Sequence, residues 1–171
     1  MEPNIEKLYT KQDIDHRLRE LASVISADYI NRPISIIVVL NGAFLFAADL
    51  LRYLPSDTTI DFVGVSTYRG GTTSRDIKVT KELSTNFNNR HVILIEDILD
   101  SGKTLSWLAL KIKDHQPASF KTCVLLDKPG NRVTPYEADY VAFTIENYFV
   151  VGYGMDWDEK YRGLDYIGIV K

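Results

Sequence analysis

The sequence predicts an α/β fold, a mostly parallel, twisted sheet flanked by helices. Three observations lead there. Residues 34–40 (ISIIVVL) and 91–97 (HVILIED) carry continuous apolar runs rich in β-branched side chains, the pattern of strands buried on both faces. Segments with apolar residues three and four positions apart alternate with such runs, so helices alternate with strands. No repeat, low-complexity tract or Pro/Gly/Ser linker divides the 171 residues, so residues 1–171 are expected to form a single domain with a sizeable core.

The elements follow in order. Residues 11–30 predict an amphipathic helix: Ile14, Leu18, Leu21, Ile25 and Tyr29 share a face, and Thr10 stands where it can cap the start. The strand at 34–40 ends at Asn41-Gly42, and residues 43–54 (AFLFAADLLRYL) read as the next helix. A strand at 59–68 leads into the polar, Gly-rich stretch 69–76 (RGGTTSRD), which has little to pack and is expected to be mobile. Residues 77–83 suit a strand returning from that loop. The strand at 91–97 precedes a helix at 103–115 with Leu105, Leu108 and Ile112 on one face, closed by Pro117. Residues 120–127, 138–144 and 166–171 supply further strands. In sheets of this kind ligands bind at the carboxyl ends of the strands. Asn41-Gly42, Glu96-Asp97 and Asp127-Lys128 all occupy such ends.

Composition narrows the class of function. With 45% hydrophobic and 25% charged residues the chain reads as soluble and globular, and a net charge of -3 gives no reason to expect a nucleic acid or an anionic membrane as partner. Its apolar runs are too short to cross a bilayer, and the first residues have no signal-peptide core, so a cytoplasmic location is expected. The single cysteine, Cys123, lies in an apolar run and reads as a small core residue. His16, His91 and His115 are far apart in sequence, and none stands at metal-ligand spacing.

The chemistry concentrates in HVILIEDILDSGKTL, residues 91–105. Glu96, Asp97 and Asp100 stand just ahead of Gly102-Lys103-Thr104. Amide groups at a helix start are unpaired and carry the positive end of the helix dipole. Gly102 lets backbone approach a ligand, and the hydroxyls of Ser101 and Thr104 add donors, which together make a phosphate cradle. The P-loop of nucleoside triphosphatases needs a glycine where this chain has Asp97, so that reading is poor. Carboxylates beside a phosphate repel it unless something lies between. A sugar diol or a bound Mg²⁺ meets the need, and a ribose 5-phosphate offers a phosphate for residues 100–104 and hydroxyls for Glu96 and Asp97. Taken singly, Glu96 and Asp97 read as solvated strand-end charges and Asp100 as a helix N-cap. Their grouping around one glycine turn favours the ligand site.

Residues 92–105 (VILIEDILDSGKTL) closely resemble the 5-phosphoribosyl-1-pyrophosphate (PRPP) signature of the type I phosphoribosyltransferases. Three more segments resemble the hypoxanthine-guanine branch of that family, in the expected order. Residues 38–51 (VVLNGAFLFAADLL) are similar to its pyrophosphate loop, 125–132 (LLDKPGNR) to its purine-contacting lysine segment, and 149–164 (FVVGYGMDWDEKYRGL) to its purine-stacking hood. The resemblance implies the type I phosphoribosyltransferase fold, with a small hood built from the N- and C-terminal segments. It implies a purine-salvage transferase that displaces pyrophosphate from PRPP with a 6-oxopurine base, hypoxanthine or guanine, and gives a nucleoside monophosphate.

Residue by residue, the resemblance puts PRPP on Glu96, Asp97, Asp100, Ser101, Gly102, Lys103 and Thr104, and makes Asp100 the general base. It puts pyrophosphate on Asn41, Gly42 and Arg162, and the purine on Lys128, Phe149, Val150 and Asp156. Mg²⁺ would be the cofactor, held near Glu96, Asp97 and Asp156. Lys128 would donate to the exocyclic oxygen at purine C6, which adenine lacks. Thr67 and Tyr68 would begin a loop that folds over the reaction and excludes water. Two residues depart from the pattern: Thr67 stands where the family usually has Ser, and Asn41 where many relatives have Lys or Arg. The family also suggests a non-proline cis peptide in the pyrophosphate loop. Without the resemblance, Lys128 reads as a surface lysine, Phe149 as a core aromatic, and Asp156 and Arg162 as exposed charges. Broader specificity that includes xanthine stays open, with Trp157 in the hood, as does a catalytically silent PRPP- or nucleotide-binding regulator. A homodimer or homotetramer is expected.

Overall fold

In the computed structural model, which describes residues 3–67 and 77–171, the two apolar runs lie side by side at the centre of a six-stranded sheet. The elements are β1 (Ile5–Tyr9), α1 (Lys11–Asp28), β2 (Ile34–Leu40), α2 (Phe44–Leu51), β3 (Thr59–Thr67), β4 (Ile77–Lys81), β5 (His91–Leu99), α3 (Lys103–Lys113), β6 (Ser119–Asp127), β7 (Tyr140–Thr144), β8 (Val150–Val151) and β9 (Ile167–Val170). The main sheet has the order β4-β3-β2-β5-β6-β7. All its neighbours are parallel except β3 and β4. β2 is in register with both flanks, Ile36 facing Ile60 and Ile93.

The alternation of side chains along a strand divides the core. Ile36 and Val38 join the buried residues Ile14, Leu18, Leu21 and Ile25 of α1 and Phe46 and Leu50 of α2 on one face. Ile37 and Val39 join Leu105, Leu108 and Ile112 of α3 on the other. Thr10 caps α1 as the sequence expects: its hydroxyl accepts from the Asp13 amide (3.2 Å), and the Asp13 carboxylate accepts from the Thr10 amide (2.9 Å). Cys123 is a fully buried core residue, and burial pushes its thiol pKa up, away from reactivity.

Several boundaries differ from the sequence reading. α2 stops at Leu51, short of Tyr53 and Leu54, and α3 at Lys113, two residues before the expected end; Gln116, at φ 51°, turns the chain before Pro117. β5 runs on to Leu99, so Glu96 and Asp97 sit within the strand rather than at its end. The C-terminal strand goes to the hood that the resemblance implies, not to the main sheet. β9 pairs antiparallel with β1 and β8 to form a separate three-stranded hood, with Ile5 facing Val170 and Val150 facing Ile169. β1 is too polar on one side to stand out in the sequence, and only this pairing makes it a strand. The Thr67–Tyr68 loop start falls at the limit of what is described: Thr67 ends β3, while Tyr68 and residues 69–76 lie outside the described residues. Among the described residues no helix is long and apolar enough to cross a membrane.

Candidate active site

Because β2, β5 and β6 run parallel, their carboxyl ends open on one edge of the sheet. A cavity of about 540 Å³ lies there, lined in part by Asn41, Gly42, Glu96, Asp97, Thr104, Asp156 and Arg162. A smaller depression of about 60 Å³ adjoins it, lined by Ile98, Leu99, Asp100, Ser101, Gly102, Thr104 and Leu105. Ile98 and Thr104 line both, so the two spaces share part of a wall.

The depression is formed by the start of α3. Gly102 takes a left-handed conformation (φ 81°) at the N-cap position, and no side chain caps the helix. Asp100 is therefore not the N-cap that its position suggested; it is exposed on the turn before it. A side chain at position 102 is excluded twice over, by the positive φ and by the Thr134 carbonyl, which would lie 2.4 Å from a Cβ.

The two β5 acids differ in environment. Glu96 is buried, and its Oε2 has no hydrogen-bond partner. Burial, and then the neighbouring Asp97 charge, push its pKa well above the usual carboxylate range. Asp97 accepts from the Ile98 amide (2.8 Å) and packs against the β2 loop. There the Leu40–Asn41 peptide is cis, and Gly42 approaches so closely that a Cβ at this position would fall 1.7 Å from Asp97 Oδ2. Gly154 of the hood packs on the same loop, where its own Cβ would fall 2.0 Å from the Gly42 carbonyl.

Lys128, just past β6, is buried rather than on the surface. Its ammonium donates to the Tyr148 carbonyl (2.6 Å), which ties the end of β6 to the hood. Burial lowers its pKa, opposed by the charges of Asp100 and Asp97. Phe149 is not a core aromatic: it is 53% exposed, with its ring set edge-on to Trp157 at 5.9 Å and 88°. Val150 is buried in β8. Arg162 is held by Asp156 (2.9 Å), Glu159 (3.0 Å) and the Gly154 carbonyl (3.0 Å).

The edge of the sheet thus gathers the Asn41-Gly42, Glu96–Thr104, Asp156 and Arg162 groups, with Lys128 and Phe149 connected through the hood. Asp156 lines the same cavity as Glu96 and Asp97. Asp156 spends its carboxylate on Arg162 and on the Glu159 amide (2.9 Å), and no three His, Cys, Asp or Glu side chains among the described residues form a metal-binding group. A metal held by protein oxygens would rest on Glu96 and Asp97. Sequence reasoning missed Glu159 and Gly154, which contact Arg162 and Gly42. Their only signal is position inside the hood segment.

Comparison with known proteins identifies the family and the fold. A phosphoribosyl transferase domain model matches residues 4–158. The chain is 42% identical to a hypoxanthine-guanine phosphoribosyltransferase of Streptococcus agalactiae, over all of this chain and 96% of that protein. It is similar to a crystal structure of a hypoxanthine-guanine phosphoribosyltransferase from Bacillus anthracis, with a HEPES molecule in its active site: TM-score 0.95, 41% identity, 99% of this chain and 100% of that one. It is also similar to a Trypanosoma cruzi hypoxanthine phosphoribosyltransferase in complex with the product IMP, with a TM-score of 0.91 at 37% identity, over 99% and 95% of the two chains.

Proposed function

The chain belongs to the phosphoribosyltransferase family, and from that membership we propose how its site works. It is a transferase of purine salvage, which moves the 5-phosphoribosyl group of PRPP to a 6-oxopurine, hypoxanthine or guanine, and releases pyrophosphate with IMP or GMP. It acts as one domain over residues 1–171, in the cytoplasm, as a homodimer or homotetramer.

The observation that carries the site assignment is the uncapped helix start at Gly102 joined through Thr104 to the wall of Glu96 and Asp97. Amides at one end suit a phosphate, and carboxyls at the other suit a diol. The 5′-phosphate rests on Asp100–Thr104, and the ribose hydroxyls face Glu96 and Asp97. The same pair fits Mg²⁺: a buried, unpartnered carboxylate oxygen beside a second carboxylate is a hard-oxygen donor set, and this ion commonly takes one or two carboxylates with substrate oxygens completing its shell. When bound, the ion offsets charge on the departing pyrophosphate.

The chain's own groups do the rest. Lys128 presents its ammonium to the base oxygen, and Phe149 stacks on the purine face that its edge-on contact with Trp157 leaves open. Val150 serves the base edge through its backbone, and Asp156 orients Arg162. Asn41, Gly42 and Arg162 receive pyrophosphate. Glu159, whose side chain is 80% exposed, is the weaker partner of Arg162 and yields to it. Asp100 removes the proton from the purine ring nitrogen as that nitrogen bonds to the anomeric carbon and the bond to pyrophosphate breaks.

The test is to mix protein, Mg²⁺ and PRPP with hypoxanthine, guanine, xanthine or adenine and to follow ultraviolet absorbance. Turnover is expected with hypoxanthine or guanine and not with adenine. Turnover with adenine alone would overturn the role of Lys128. Failure with every base would leave a PRPP-binding regulator.

A further inference from the structure

We infer that Arg132 is a positioning residue, which locks the turn bearing Asp100 to the lysine that meets the base. The inference rests on the phosphoribosyl-transfer reading above. Arg132 lines neither the acid cavity nor the helix-start depression, so it does not touch the space assigned to substrate. Its side chain is largely buried, 16% exposed, and reaches into the wall behind them. Nη1 donates to the Leu99 carbonyl (3.0 Å) and to the Asp100 carbonyl, and Nη2 donates to Asp127 Oδ1. The next two amides continue the grip: Val133 (3.0 Å) and Thr134 (2.9 Å) both donate to the Ser101 carbonyl. Residues 132–134 thus hold three consecutive carbonyls of the 99–101 turn. Leu99 also accepts from the Lys128 amide (3.0 Å), so one carbonyl joins the Asp100 turn, Lys128 and Arg132.

The division of labour follows from the guanidinium. Its planar fork can serve two backbone carbonyls with one nitrogen and a carboxylate with the other. An ammonium has no such fork. Asp127 immediately precedes Lys128, so the Asp127–Arg132 pair fixes the base-contacting segment, and the two carbonyl bonds fix the segment carrying the general base. Proton transfer needs both to be placed on the same purine, and displacement by about 1 Å can cost on the order of 100-fold in rate.

The experiment measures IMP formation from PRPP and hypoxanthine by the wild-type chain, R132K and D127N. R132K keeps the charge without the fork. Its kcat is expected to fall about 30-fold while KM for PRPP stays within about threefold, and R132A is expected to regain part of its lost kcat with added guanidinium ion at millimolar concentration. D127N is expected to lower kcat about threefold or more, with no further loss when added to R132K, because both act through one pair. A kcat for R132K within about twofold of wild type overturns the inference, as does a loss carried equally by KM for PRPP, which marks collapse of the phosphate turn. Should R132K fail to fold, D127N decides: unchanged kcat overturns it. Absence of turnover in the wild type would instead sink the reading under which Arg132 has a reaction to serve.

Discussion

Gly42→Ala isolates the contact between the Asn41-Gly42 loop and Asp97. Gly42 is not among the residues at positive φ, so alanine is conformationally acceptable there. What forbids it is space. The new Cβ would stand 1.7 Å from Asp97 Oδ2 and 2.5 Å from Asp97 Cγ, whereas real Cβ atoms do not approach closer than 3.0 Å. The carboxylate oxygen must therefore retreat from 1.7 to at least 3.0 Å, a shift of about 1.3 Å. Swinging Asp97 away also strains its 2.8 Å bond with the Ile98 amide. The loop is itself closely packed, since Gly154 approaches the Gly42 carbonyl so tightly that a Cβ there would fall 2.0 Å from it. A misplacement of about 1 Å costs on the order of 100-fold, so kcat/KM for PRPP should fall by about that factor, or about 2.7 kcal/mol of transition-state stabilisation. Steady-state kinetics with PRPP varied at saturating hypoxanthine measure this, with thermal unfolding as the control for folding. A variant within about threefold of wild type would falsify the claim that Asp97 must hold this orientation against Gly42.

Two further substitutions probe separate parts of the molecule. Asp100→Asn should lower kcat by about 100-fold or more with KM for PRPP within about threefold, the size of a lost general base; normal turnover in the same absorbance assay would remove Asp100 from that role. Asp61, buried at the start of β3, accepts from the amides of Phe62 (2.7 Å), Ser84 (2.8 Å) and Thr85 (2.9 Å) and anchors the segment after β4. Burial alone would raise its pKa, but these hydrogen bonds outweigh burial and hold it well below the usual carboxylate range. A depressed folded pKa contributes stability that is complete above the unfolded value, about 4, and is lost as pH falls through the folded one. Asp61→Asn leaves amide donors facing an NH₂ group and should cost about 3 kcal/mol, seen as a Tm lower by about 6–12 °C at pH 7, with a shallower loss of Tm on acidification. Equal Tm–pH curves for the two proteins would show that Asp61 is not the group responsible.

The parallel core was legible because burial on both faces leaves a plain mark: Ile34–Leu40 and the apolar part of β5 can be little else. The hood strands were less so. β1 is half polar and β8 is two residues long, and each becomes a strand only through β9, a partner distant in sequence. The continuation of β5 through Glu96 and Asp97 was hidden for a similar reason. Acids normally end an apolar pattern, and here strand pairing to β6 at Glu96–Val124 and Leu99–Asp127 carries the backbone on regardless. The glycine turn and its acids could be read locally, since a helix start needs neighbours only a few residues away. Arg132 and Glu159 could not, because each acts through a fold-dependent contact with a group already singled out. A lysine before Pro-Gly gives no hint that it is buried; the hood that covers Lys128 comes from residues 20 positions on.

The three acids beside an anion cradle make physical sense once their surroundings are compared. Glu96 is buried, which raises its pKa, and one of its oxygens has no partner, so a cation or a hydroxyl donor there would offset the cost of its charge. Asp97 is walled by Gly42 and oriented by the Ile98 amide, which suits a fixed hydrogen-bond acceptor. Asp100 is exposed on a turn whose carbonyls are held from behind by Arg132, so its backbone is fixed while its carboxylate stays accessible. Similar carboxyl groups are thereby given different tasks by burial, packing and bracing rather than by residue type. The arrangement also limits the repulsion that a phosphate at Gly102 would meet. The deepest acid is set back from the helix start in β5, and the exposed one is screened by water.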